Sequence, residues 1–200
     1  MTAPLDNAVT LKHTPDDKPL LGFWIYLMTD CLLFASLFAT YIVLHNNTYG
    51  GPGGSELFDM PSILVETLIL LTSSFTCGLA MIAVRQRSIK HTLFWIGFTF
   101  VLGVIFLFME LTEFKHLIAE GNSWHRSGFL SSFFTLVGTH GLHIAIGLLW
   151  LLVMGWKLIK QGFTINTIRR LTLFSMFWHF LDIIWIFIFT FVYLIGALQL

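Results

Sequence analysis

Charged residues are scarce in this sequence, and their scarcity limits the kind of protein it encodes. Among 200 residues there are 11 Lys and Arg and 11 Asp and Glu, together 11% of the chain. In soluble domains, charged residues make up about a quarter of the chain. Hydrophobic residues make up 56%, and the mean hydropathy is +0.80. The composition excludes an ordinary soluble domain and indicates a chain whose natural solvent is a bilayer. The net charge of zero and the scattered basic residues give no support for nucleic-acid binding.

Cysteine and polar–apolar alternation are also nearly absent. Cys31 and Cys77 both fall inside apolar runs, so we interpret them as small buried hydrophobes and not as a disulfide or a zinc site. The lack of alternation excludes the strands of a membrane barrel and leaves helices as the spanning form. Because the first twenty residues are polar, we expect no cleavable signal peptide and expect the first spanning helix to direct targeting.

Five apolar stretches are each long enough to cross a membrane as a helix, which takes roughly 20 residues. They predict an all-α integral membrane protein, a five-transmembrane-helix bundle over residues 20–200 preceded by a cytoplasmic tail, 1–19. The first and fourth stretches exceed the minimum, so we expect tilt or extension beyond the lipid. The predicted spans are about 20–45, 62–84, 91–114, 128–157 and 171–197.

The basic residues predict the orientation of the bundle. Cytoplasmic loops are rich in Lys and Arg, and here nine basic residues fall on one side of the predicted spans and two on the other. The N-terminus is therefore predicted to be cytoplasmic and the C-terminus outside. The nine are Lys12, Lys18, Arg85, Arg87, Lys90, Lys157, Lys160, Arg169 and Arg170; the two are Lys115 and Arg126.

Two short phrases place pairs of ionisable side chains inside apolar runs. They are Gly-Thr-His-Gly-Leu-His at 138–143 and Phe-Trp-His-Phe-Leu-Asp at 177–182, and each pair is spaced to share one helix face. An ionisable group at lipid depth is costly and by default marks a functional or packing contact. Depth along the spans allows one midplane cluster of Asp30, His140, His143, His179 and Asp182, and a separate outer layer of Glu66, Glu110 and Glu113.

The histidines admit structural and functional interpretations. His140 and His143 are typical of hydrogen-bonded packing between helices, with metal or haem ligation as the alternative. The small residues around them favour packing, since they let a neighbouring helix approach closely. The spacing of His179 and Asp182 fits a buried interhelical bond, or a carboxylate that orients a metal-binding imidazole.

The remaining candidates carry charge or a proton. Asp30 lies about ten residues into the first span, where it either handles protons or makes a neutral structural hydrogen bond. Glu66, near the outer end of the second span, where that span begins, is expected to be a satisfied structural carboxyl. Lys157 follows Trp156 at the predicted cytoplasmic end, where it either holds a lipid phosphate or only reflects topology.

Four phrases together resemble a known family. They lie at 22–30, 65–67, 133–143 and 177–185, the longest reading Phe-Phe-Thr-Leu-Val-Gly-Thr-His-Gly-Leu-His, and the likeness extends from about Gly22 to Gly196. The chain resembles subunit III of the haem–copper respiratory oxidases, and most closely the branch found in bacterial cytochrome o (bo-type) ubiquinol oxidases. Mitochondrial-type subunits have seven spans and a Glu where this chain has five spans and Asp30, which favours the bacterial branch.

The resemblance implies a multi-pass protein of the bacterial inner membrane that is not itself catalytic. It would pack against subunit I, which holds the haems and copper, beside subunits II and IV, in a complex that oxidises ubiquinol, reduces oxygen to water and pumps protons. It would have no metal of its own and would support sustained turnover and proton uptake. Its helices would divide around a phospholipid-filled cleft, with Asp30, His143, His179 and Lys157 as candidates for lining or anchoring it.

Two other classes stay open on the residues alone. One is a small proton-coupled transporter in which Asp30 and the histidines form a relay, although no internal repeat or broken span is visible. The other is a membrane b-type haem protein, with His140 or His143 and His179 as axial ligands. The choice of ubiquinol as electron donor rests on the resemblance.

Overall fold

The computed structural model describes residues 18–50, 57 and 59–198, and every regular element in that part of the chain is helical. Five of the helices are long and apolar enough to cross a membrane, which confirms the predicted fold class. Most of the predicted tail lies outside the described residues. The elements are α1 Lys18–Leu44, α2 Met60–Arg85, α3 Ile89–Ala119, α4 Gly128–Gln161 and α5 Ile165–Ile188, followed by a π-helical segment Phe189–Leu194 and α6 Ile195–Leu198.

Polar caps set the helix ends beyond the apolar runs. The Ser127 hydroxyl accepts a hydrogen bond from the Leu130 N–H and begins α4, and Thr164 does the same for Thr167 at the start of α5. Gly162, with φ of 64°, ends α4. Helix α5 therefore begins six residues before the predicted 171, because Arg169 and Arg170 interrupt hydropathy without interrupting the helix.

Helices α4 and α5 form the centre of the bundle. Helix α1 packs on one side, against α4 and α5, whereas α2 packs against α3 and α5, and α3 also contacts α4. The most extensive contact is between α2 and α3. The predicted division of the helices around a lipid-filled cleft stays a prediction.

The Trp178 indole joins four helices at the core. A Cβ on Gly147 of α4 would lie 2.9 Å from this ring, and a Cβ on Gly103 of α3 would lie 3.0 Å from it. The indole N–H donates to the Ser73 hydroxyl of α2 at 3.2 Å. Both glycines are thus required by the close approach of α3, α4 and α5.

The outside of the bundle is apolar on every long helix. Large exposed apolar areas in a folded chain indicate contact with lipid or protein. Examples, one from each of α1 to α5, are Leu32 at 71% exposure, Phe75 at 67%, Phe108 at 69%, Leu149 at 64% and Ile183 at 53%.

Candidate functional site

The Asp30 carboxyl of α1 faces the His143 imidazole of α4. Oδ2 of Asp30 and Nε2 of His143 are 3.7 Å apart, close enough for a charge contact but too far for a hydrogen bond. Asp30 is buried, at 8% exposure. The Tyr26 hydroxyl, one turn earlier on α1, is within hydrogen-bonding reach of the same carboxyl.

The second ring nitrogen of His143 determines where a proton must lie. Nδ1 is 2.8 Å from the Thr139 carbonyl oxygen, which can only accept, so Nδ1 carries a hydrogen. A neutral His143 then presents the lone pair of Nε2 to Asp30. Two acceptors facing each other repel, so the contact becomes favourable when one further proton is held by Asp30 or by His143.

His140 lies one turn from His143 but in different surroundings. It is fully buried, stacks on Trp185 with ring centroids 5.2 Å apart, and lies edge-on to Phe106 and near Phe34. Neither ring nitrogen has a hydrogen-bond partner among the described residues. This environment suits a neutral imidazole used as a packing ring.

The second sequence motif, at 177–182, faces helix α2. His179 Nδ1 is 2.6 Å from the Ser74 hydroxyl oxygen of α2, and Ser74 is also within hydrogen-bonding reach of the Asp182 carboxyl. The Oδ1 atom of Asp182 has no hydrogen-bond partner in the described part of the chain. These three side chains border a groove of about 450 Å³ on the outside of the bundle, which we call the α2–α5 groove; the other lining residues are Leu71, Phe75, Gly78, Leu79 and Ile82.

A third group forms the outer layer expected from depth. Glu66 of α2 and Glu110 of α3 are each 1% exposed, and Glu110 is close enough to Glu66 and Glu113 for their charges to interact. Tyr193 donates its hydroxyl hydrogen to Glu113 at 3.4 Å. Gly141 makes room for this layer, because a Cβ there would lie 2.9 Å from Glu110 Oε1.

Lys157 lies away from all of these groups, near the end of α4. It lines an open pocket of about 320 Å³ with polar neighbours from the α4–α5 turn. Arg170 adds a second positive charge, so the pocket suits an anionic oxygen ligand such as phosphate. The remaining lining residues are Gln161, Thr164, Asn166 and Thr167.

The predicted midplane residues are therefore divided between two helix pairs. Asp30 and His143 meet between α1 and α4, whereas His179 and Asp182 turn toward α2, and the buried ring of His140 packs between aromatic side chains. Glu66 belongs to the separate outer layer, as its depth predicts. Ser74 and Tyr193 were missed by sequence reasoning, because a lone hydroxyl in an apolar helix is common and carries no signal of its own.

Similarity to known proteins identifies the family. Residues 12–197 match the family described as cytochrome c oxidase subunit III. The chain belongs to this family. It is a multi-pass membrane protein of the bacterial inner membrane, as predicted. Membership favours the oxidase-subunit hypothesis over the transporter and the haem protein.

Three similar proteins in the family carry different names. "Cytochrome bo(3) ubiquinol oxidase subunit 3" of Pseudomonas aeruginosa strain PAO1 is 54% identical over 186 residues, which is 93% of this chain and 89% of the relative. "Quinol oxidase subunit 3" of Bacillus subtilis strain 168 is 45% identical over 177 residues, 88% of this chain and 87% of the relative. "Cytochrome c oxidase subunit 3" of Bacillus sp. strain PS3 is 45% identical over 176 residues, which is 88% of this chain and 85% of the relative.

Proposed function

We propose that this chain is the non-catalytic subunit III of a bo-type ubiquinol oxidase. Such a complex oxidises ubiquinol, reduces oxygen to water and pumps protons across the membrane. The observation that carries the proposal is the 54% identity, over 93% of the chain, to a protein named as subunit 3 of a bo(3) ubiquinol oxidase. The identity is higher than to the relative named for cytochrome c.

In this proposal subunit I holds the haems and copper, subunits II and IV complete the complex, and this chain supplies no ligand. The histidines within the spans lie in separate surroundings. His143 binds the Thr139 carbonyl and faces Asp30, and His179 binds Ser74. His140 is enclosed by aromatic rings.

The chain's own contribution is to stabilise subunit I and to hold a proton near it. In this proposal the Asp30–His143 pair holds one proton inside the membrane. A proton-binding unit beside the proton-uptake route of subunit I would help keep uptake steady during continued turnover.

Lipid and orientation complete the proposal. With the N-terminus in the cytoplasm, Lys157 and Arg170 lie at the cytoplasmic surface, where anionic phospholipids attract basic side chains. We assign this pocket to a phospholipid phosphate, whose acyl chains would follow the cleft between this chain and its neighbours.

Gentle solubilisation of a tagged chain tests the proposal. The expected result is co-purification with a larger subunit that shows a haem spectrum, together with ubiquinol oxidation by the purified material. A complex prepared without the chain should still oxidise ubiquinol but should lose activity sooner during turnover. Recovery of the chain alone, with or without bound haem, would contradict the proposal.

A further inference from the structure

The outer layer of carboxyls lies inside the bundle without a positive charge to balance it. Glu66 is six residues from the start of α2, and Glu110 is nine residues from the end of α3, so they lie about 9 Å and about 14 Å along their helices. The charge of Glu110 interacts with those of Glu66 and Glu113. The two ion pairs found in the described part of the chain, His116–Glu120 and His143–Asp30, include none of these three carboxyls.

The burial of Glu66 and Glu110 leaves a proton as the means of satisfying them. Oε2 of each carboxyl has no hydrogen-bond partner among the described residues and almost no accessible surface, so a ligand in a surface pocket does not reach it. Two ionised carboxylates this close together and away from water repel each other. A carboxyl that keeps its proton instead becomes a hydrogen-bond donor to its neighbour. The arrangement therefore favours a proton kept on Glu66 or Glu110.

The packing around the two carboxyls keeps them enclosed. The backbone of α4 closes one side, since a Cβ on Gly141 would lie 2.9 Å from Oε1 and 3.3 Å from Oε2 of Glu110. His140, beside Gly141, packs among aromatic rings. Tyr193 is fully buried and donates its hydroxyl hydrogen to Glu113. Tyr193 belongs to the π-helical segment, and π-helical turns are rare and frequent at functional sites.

Glu113 connects the buried carboxyls with an open pocket between α2 and α3. Glu110, Glu113 and His116 follow one another at three-residue intervals on α3, and they change from buried to half-buried to exposed. Glu113 and His116 line a pocket of about 520 Å³, which we call the α2–α3 pocket. It lies where α2 begins and α3 ends, which is the end of the bundle nearest to water. Its other polar lining residues are Asp59, Ser62 and Thr112.

We propose that Glu66 and Glu110 form a proton-binding site that exchanges with water through Glu113 and the α2–α3 pocket. One carboxyl of the pair keeps its proton at neutral pH. In exchange, this proton passes to a carboxylate oxygen of Glu113 and then to water in the pocket, and a proton from water returns by the same path. Tyr193 is a positioning residue that holds the Glu113 carboxyl. The inference goes beyond the proposed function, because the site is formed by this chain alone and is separate from the Asp30–His143 pair.

Infrared difference spectroscopy of Glu110→Gln tests the site, with Glu120→Gln on the same helix as the matched control. Gln keeps the shape of a protonated carboxyl but has no titratable proton. The unaltered chain is purified with whatever subunits accompany it, and its spectrum at neutral pH should show a carboxylic-acid C=O band that Glu110→Gln loses or shifts. Glu120→Gln should leave this band unchanged, because the Glu120 side chain is 51% exposed and such carboxyls are ionised at neutral pH.

Glu66→Gln gives a second measurement of the same site, should Glu110→Gln fail to assemble. It should alter the same band, since the two carboxyls form one site. An unchanged carboxylic-acid band in both variants, or an equal change in Glu120→Gln, would overturn the proton-binding site.

Transfer into D₂O tests the route through Glu113. The shift of the carboxylic-acid band on deuteration should be about tenfold or more slower in Glu113→Gln, which cannot relay a proton, and unchanged in Glu120→Gln. Equal exchange rates in the two variants would overturn the route. Purification of the chain without any haem protein would instead contradict the proposed function and would leave this site intact.

Discussion

Two histidine–carboxyl groups on different sides of the bundle show how the same chemistry acquires different neighbours. Asp30 and His143 lie between α1 and α4, with Phe34 and Phe177 against the imidazole. His179 and Asp182 share the Ser74 hydroxyl and border an open groove. We propose a proton-holding role for the first group, whereas the second is joined by the Ser74 hydroxyl. The two groups lie at similar depth in the membrane, but their side chains point in different directions around the helices, and this direction decides their roles.

The helix packing around Trp178, which separates the two groups, should be the feature most sensitive to substitution. Gly147→Leu would push against the Trp178 ring, which a Cβ already approaches to 2.9 Å. Overpacking of this kind costs about 1 to 3 kcal/mol. We expect a lower denaturation midpoint for the purified complex and smaller amounts of chain in the membrane.

Gly155→Leu, on the same helix, is the control, because no atom lies within 4 Å of a Cβ at Gly155. Equal stability of the two variants would mean that the contact between α4 and Trp178 does not hold the bundle together.

Removing the two carboxyls one at a time tests whether the groups differ in role. Asp30→Asn can donate a hydrogen bond to His143 but cannot take up the pair's proton. We expect the complex to assemble normally and to lose activity sooner during turnover. The measurement is the decay of oxygen consumption at saturating ubiquinol.

Asp182→Asn is the companion variant, and the opposite pattern is expected for it. A weaker hydrogen bond between Ser74 and residue 182 should destabilise the purified complex by about 1 kcal/mol, without shortening turnover. If both variants shortened turnover to the same extent, the distinction between a proton-holding pair and a structural pair would be lost.

The substitution with the smallest expected effect is at Lys157, whose proposed neighbour is a phospholipid. Lys157→Ala should reduce the amount of anionic phospholipid retained by the purified complex, since it removes one of two positive charges from the pocket. Lys160→Ala is the control, because Lys160 is on the same turn but does not line the pocket. Bound lipid is measured by mass spectrometry. Equal lipid content in the two variants would contradict the assignment of the pocket to a phospholipid phosphate.

The number of helices and the family could be predicted from the sequence, because both follow from apolar length and from long contiguous phrases. Depth could be predicted too: Asp30 and His143 are at one level and do meet. The direction in which each side chain points around its helix could not be predicted. Trp178 and Trp185 occupy the core positions of α5 and turn His179 toward α2. The start of α5 was predicted too late, since hydropathy marks lipid contact whereas Thr164 marks the helix end.

The most direct measurement is native mass spectrometry of the complex released from the membrane under gentle conditions. We predict one copy of this chain bound to a haem-carrying subunit, and a chain free of haem once it is dissociated. A dissociated chain that carries the mass of haem, or a chain that leaves the membrane without any partner, would contradict it.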